Sequence, residues 1–155
     1  MNTQNVDIEK METLVCLESL VETCYRILQG LVHNQGVRRE CQQLEFHTQL
    51  RQEELIKIFS LSASHKNIIN NKVNDYVLKL KPLQLSMRAL INVAINLNHF
   101  KLDIYKHLNP LTEEHRGLLY NFLEENMEEI DFLRQEKNFH ENRLDVYFDA
   151  TPPRP

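Results

Sequence analysis

Apolar residues recur at alternating steps of three and four along four stretches of the chain. The first runs Leu14, Leu17, Val21, Cys24, Leu28, Leu31, a spacing that holds one side of an α-helix apolar but would scatter over both faces of a strand. It predicts a helix from about Asn5 or Val6 to His33, with Asp7, Glu9 and Glu12 where the positive helix end favours acids. Asn34, Gln35 and Gly36 break it, Gly36 being able to adopt the left-handed conformation that ends helices. The periodicity resumes at once with Val37, Cys41, Leu44, Leu55 and Ile58, so the first two helices are expected to be antiparallel neighbours.

The run from Ser60 to Ser64 is the next break, with Ser64 as the expected N-cap. Beyond it Ile69, Val73, Tyr76, Leu80, Leu83, Met87, Leu90, Ala94 and Leu97 keep phase to Ile104 and Leu108, interrupted only by Lys101. An unbroken helix of that length would measure about 65 Å, and Pro82 removes a backbone bond. Two helices are therefore expected, a short one at about 66–80 and a core helix at about 83–108, with one kinked helix as the alternative. Asn109 to Thr112 forms a second tight connection, Thr112 capping a last helix through Leu119, Leu123, Ile130 and Leu133 towards Leu144. The fold class is all-α: an up-down-up-down four-helix bundle with an extra short helix or kinked segment before its third core helix. One domain is expected over 1–148, followed by a disordered Pro-rich tail at 149–155.

Composition fits this picture. The 155 residues are 42% hydrophobic and 26% charged, with three Gly and five Pro, which suits long elements and leaves few turns for a sheet protein. No apolar window approaches the length of a membrane span and the N-terminal residues lack the pattern of a signal peptide, so the expected location is cytoplasmic. Cys16, Cys24 and Cys41 all fall within helical patterns and are expected to be buried free thiols. A net charge of −4 argues against nucleic acid as a partner. Residues 66–108 hold seven basic and two acidic side chains and 112–149 four basic and eleven acidic, an asymmetry that favours packing of these segments side by side.

The stretch Leu17 to Cys24, the apolar second helix, the connection with its own short helix and the hairpin around Asn109 to Thr112 resemble the ferritin-like (rubrerythrin-like) bundles, and most of all an uncharacterised bacterial subgroup without an intact di-iron motif. Catalytic members of that superfamily hold two irons with a Glu from each of two helices and a Glu-x-x-His from each of the other two. No acid in this chain has a His three residues later. A tight turn near residue 110 sets Ala94 opposite Met127, so the resemblance, taken with the sequence, implies a metal-free second hairpin filled by Ile91, Ala94, Ile95, Leu123, Met127 and Ile130.

The first hairpin is more polar. Glu18 and Glu22 come level with Gln52 and Thr48, near His47, Arg51 and Glu54. An ion pair of Glu18 or Glu22 with Arg51 is the expected arrangement, since an Arg repels a bound cation; Glu18, Glu22, His47 and Glu54 are the alternative metal ligands. His99, Asp103 and His107 stand at i, i+4 and i+8, a spacing that can hold a surface metal ion but that also describes a solvated stripe. His115, in the first turn of the last helix, and His140, near its seam, are expected to be structural or solvated. Glycine-rich phosphate loops, G-x-S-x-G and H-E-x-x-H are absent. Residues 66–81 are a weak basic amphipathic stretch, and a membrane is not an expected partner.

The expected function is a non-catalytic bundle without cofactor that acts through a protein partner or as a homodimer. The alternative is a metal-binding or redox protein using iron, manganese or zinc on non-standard ligands. A third reading, a small-ligand carrier, requires an apolar pocket near Pro82 that sequence does not reveal.

Overall fold

The computed structural model describes residues 3–80, 86–108 and 113–150, with side chains described over 8–79, 86–108 and 113–139. Among these it contains five helices: α1 (Thr3–Leu31), α2 (Gln35–Ile58), α3 (Ala63–Leu80), α4 (Met87–His107) and α5 (Glu113–Ala150). No described helix is long and apolar enough to cross a membrane. Pro82, the connection Asn109 to Thr112 with its expected cap, the His140 side chain and residues 151–155 lie outside the described residues.

Cross-helix contacts fix the directions. Gln29 meets Glu45 and Glu18 meets Arg51, so α2 runs antiparallel to α1. Tyr25 meets Asn98 while Glu18 meets Tyr105, so α4 is antiparallel to α1 as well. On the outside of α1, α3 runs parallel to it: Glu12 pairs with His65 at 3.6 Å, Cys16 feels Lys72, and Tyr76 feels Cys24. α4 and α5 are antiparallel, with Asn98 level with Asn126 and Tyr105 against Phe122.

The core helices α1, α2, α4 and α5 are therefore up, down, down and up, which corrects the expected up-down-up-down order. The physical reason is α3. It carries the chain back along the length of the bundle, so α2 and α4 enter from the same end. The same reversal rules out one kinked helix across 63–107, because α3 and α4 point in opposite directions.

Helix ends differ from expectation for local reasons. Asn34 is the N-cap of α2, extended at φ −73°, with its side chain accepting from Val37 N. Gly36 sits inside the first turn and is not left-handed; a Cβ there would stand 3.2 Å from the capping oxygen of Asn34. The left-handed residue is Ser60, at φ 51°, beyond the end of α2. Ser62, and not Ser64, places its hydroxyl oxygen 3.4 Å from the His65 backbone N–H. Ser86 caps α4 by accepting from Ala89 N at 3.1 Å, so that helix starts at Met87 and not near 83. Ser86→Ala is expected to lower unfolding free energy by about 1 kcal/mol in urea titrations, the usual worth of such a cap.

The core is largely apolar. Leu14, Val21, Cys24 and Leu28 of the first seam are buried, joined by Tyr25 and Val32, whereas Leu17 is only partly buried and Leu31 is exposed. α3 contributes Ile69 and Val73, and α5 contributes Leu119, Phe122, Ile130 and Leu133. Seven polar or charged side chains are buried with them, and all seven belong to one cluster.

Candidate functional site

The middle of the bundle holds a network of charges. Glu18 of α1, Arg51 of α2, Lys101 of α4 and Glu129 of α5 are each at most 3% exposed. Arg51 donates from Nε to Glu18 Oε2 at 2.8 Å, from Nη2 to Glu129 Oε1 at 2.6 Å and from Nη1 to Glu125 Oε2 at 3.0 Å. Lys101 Nζ bonds Glu18 Oε1, donates to Asn98 Oδ1 at 3.0 Å and lies 3.6 Å from Glu129 Oε2. Two carboxylates thus face two cations, with Glu125 half-exposed at the rim.

Two phenols complete the network. Tyr105 donates to Glu18 Oε2 at 2.7 Å, and Tyr25 donates to Glu129 Oε2 at 3.0 Å. Asn98 donates to the Tyr25 hydroxyl at 3.2 Å, and Asn126 donates to the Asn98 carbonyl at 2.9 Å. Asn126 Oδ1 has no hydrogen-bond partner among the described residues.

Each helix places its share by the same rule: a polar residue stands in phase with the apolar seam. Glu18 lies four residues beyond Leu14, and Arg51 lies between Leu44 and Leu55 with Thr48 one turn before it. Lys101 lies between Leu97 and Tyr105, and Glu129 precedes Ile130 and Leu133. Three of the four helices supply an inward i, i+3 pair: Thr48 and Arg51, Asn98 and Lys101, Asn126 and Glu129.

The electrostatics follow from this packing. Burial by itself would raise the Glu18 carboxyl, but Lys101 and Arg51 outweigh it and hold the group down at about 2. Burial pushes both phenols well above their ordinary range, and Glu129 beside Tyr25 and Glu18 beside Tyr105 push the same way. Both tyrosines therefore stay neutral donors. Lys101 and Glu18 are wholly buried and every oxygen of Glu18 accepts a bond, so these two groups are closed to solvent, while Glu125 stands half-exposed at the rim.

The sequence-derived ligand sets are not assembled. Glu18 pairs with Arg51, whereas Glu22 turns to Arg26, Gln49 and Gln52. His47 is exposed and its ring lies beside Phe46, and Glu54 approaches Lys57 at 3.6 Å. On α4, His99 meets Arg134 at 3.0 Å, and His107 Nδ1 lies 2.7 Å from the Asp103 carbonyl; all three residues of that stripe are exposed. No group of three or more His, Cys, Asp or Glu among the described residues could hold a metal ion. The di-iron arrangement of catalytic ferritin-like bundles does not fit these residues, because Arg51 and Lys101 already occupy the space between the carboxylates.

The second hairpin is not the plain apolar core expected of it. Ile91, Ala94, Ile95 and Ile130 are buried and Leu123 is partly so, but Met127 is 48% exposed. Successive helical residues are turned by about 100°, and Asn126 takes the inward position. Lys101 announced itself as the break in an otherwise apolar seam; Tyr25, Asn98, Tyr105, Asn126 and Glu129 carried only their phase as a signal.

All three cysteines are free, with Cys24 and Cys41 buried and Cys16 partly exposed. Burial pushes the Cys24 thiol up to about 12, and burial with Glu136 and Glu40 does the same to Cys41, which leaves neither poised as a nucleophile. Comparison with protein-family models, curated proteins and solved structures finds no match.

Proposed function

We propose that the chain is a non-catalytic, ferritin-like four-helix bundle that carries no metal and works by contact with a protein, its own copy first. One observation carries the reading: the guanidinium of Arg51 and the ammonium of Lys101 stand between Glu18 and Glu129 at the centre of the bundle. The positive charge that a metal centre would bring is supplied by two side chains. Inward i, i+3 pairs on α2, α4 and α5, together with a single long crossover carried by α3, agree with the ferritin-like plan.

The contact role rests on the outer surface. Phe46 and Leu50 are 56% and 43% exposed one turn apart on α2, a place where solvent gains nothing from them and a second apolar surface does. Light scattering over a concentration series is expected to give a dimer that Phe46→Ser with Leu50→Ser turns into a monomer. A parent protein that stays monomeric throughout counts against self-association. Elemental analysis of untagged protein is expected to give far less than one iron, manganese or zinc per chain, and a stoichiometric metal would overturn the metal-free reading.

A further inference from the structure

Beyond the charge network, one to two turns towards the end where α4 begins, the four core helices part around a cavity of about 640 Å³. Leu28 and Val32 of α1, Cys41 of α2, Ile91 of α4 and Phe132 and Glu136 of α5 line it. The opening follows from the packing: α2 lies closely on α1, and α5 on α4, but α2 and α5 meet only sparingly. The volume is within the roughly 300–1,000 Å³ usual for small-molecule sites, and a mostly apolar wall with a few polar groups is their usual make-up; here the polar ones are His33, Asn34 and Glu136.

Glu136 is the one acid among them. It is partly buried and has no hydrogen bond or ion pair among the described residues. Burial raises its carboxyl, and the thiol of Cys41 feels Glu136 and Glu40 together, so this corner of the cavity is negative. Arg38, at the same end, is engaged with the Val32 carbonyl at 2.8 Å.

The geometry points to a binding site for a small amphiphile, whose slender apolar body fills the cavity and whose amine-bearing, cationic head pairs with Glu136. An apolar body replaces water against Leu28, Ile91 and Phe132. A cationic head gives the carboxylate the counter-charge that the described residues do not supply, whereas a carboxylate head would set like charges side by side. This site is independent of the contact role proposed above.

Fluorescence of N-phenyl-1-naphthylamine, a neutral apolar probe, tests it. Saturable binding to the folded protein is expected, with decylammonium displacing the probe at concentrations about tenfold lower than decanoate, the difference one added ion pair confers. Glu136→Gln should bring the two competitors together while the probe still binds. Val37→Phe, at a partly exposed lining position, should weaken probe and competitors alike, with circular dichroism confirming that both variants are folded. Absence of saturable probe binding, decanoate competing as well as decylammonium, an unchanged preference in Glu136→Gln, or a Val37→Phe protein that binds like the parent would each overturn the assignment.

Discussion

A Lys101→Met protein is expected to lose about 3–5 kcal/mol of unfolding free energy. Methionine keeps the apolar reach of the lysine stem and fills a similar volume, so the change removes little besides the ammonium. Glu18 and Glu129 remain buried with Arg51 as their one remaining cation at the centre. The cost lies in that surplus carboxylate, because a charge kept from water without a partner is far dearer than the pair it came from. Urea unfolding checks it, with the midpoint falling and the slope unchanged. A loss below about 1 kcal/mol, the range of exposed ion pairs, would show that the network does not behave as a buried one.

A companion variant separates stranded charge from lost packing. Replacing Glu18 and Glu129 by Leu and Arg51 and Lys101 by Met leaves no buried ion behind, Glu125 staying half-exposed at the rim. Tyr25→Phe and Tyr105→Phe must accompany them, since both hydroxyls donate to the deleted carboxylates. This six-fold variant is expected to be more stable than Lys101→Met alone, because well-packed apolar replacements of buried ion clusters are often neutral or stabilising.

Acid should unfold the protein early, and Glu18 is the reason. Its carboxyl titrates near 4.3 in an unfolded chain and at about 2 in the folded one. The folded form therefore binds fewer protons between those values and is stabilised above them. Roughly 3 kcal/mol is present at neutral pH and disappears as pH falls from about 4.5 to 2. Glu136, raised by burial, acts in the opposite sense and above this window. Urea midpoints at pH 7, 4, 3 and 2 should fall steeply for the parent protein and less steeply for Glu18→Gln. Parallel decline of the two would mean that Glu18 is not held ionised by Lys101 and Arg51.

The helices were legible because period is a local property. Leu14, Val21, Cys24 and Leu28 needed only their own spacing to define α1. The seam misled at Leu17 and Leu31, which lie beside the true inward positions Glu18 and Val32. An apolar pattern selects the greasy neighbour when the inward residue is charged, so a buried acid is hidden by the rule that finds the core around it. Arg51 and Glu18 could still be paired, because a short turn joins their helices and reflection about it aligns them. Glu129 could not be added, since its distance to Arg51 spans 78 positions and depends on how the two hairpins dock. The crossover was hidden for a similar reason: nothing in the sequence of α3 says that it travels back along α1.

Residues 18, 51, 101 and 129 come from four helices, and their charges meet at a single height in the bundle. Apolar seams are tolerant of sliding: displaced by one turn, 5.4 Å, leucines meet other leucines at little loss. The ions are not tolerant. A one-turn shift of α4 against α1 would carry Lys101 away from Glu18 and leave Arg51 as the one cation beside that buried carboxylate, and α2 and α5 are tied to Glu18 and Arg51 in the same way. Greasy residues decide that the helices gather, and these four charges decide at what elevation each one stops, excluding the staggered assemblies that a uniform core could not distinguish.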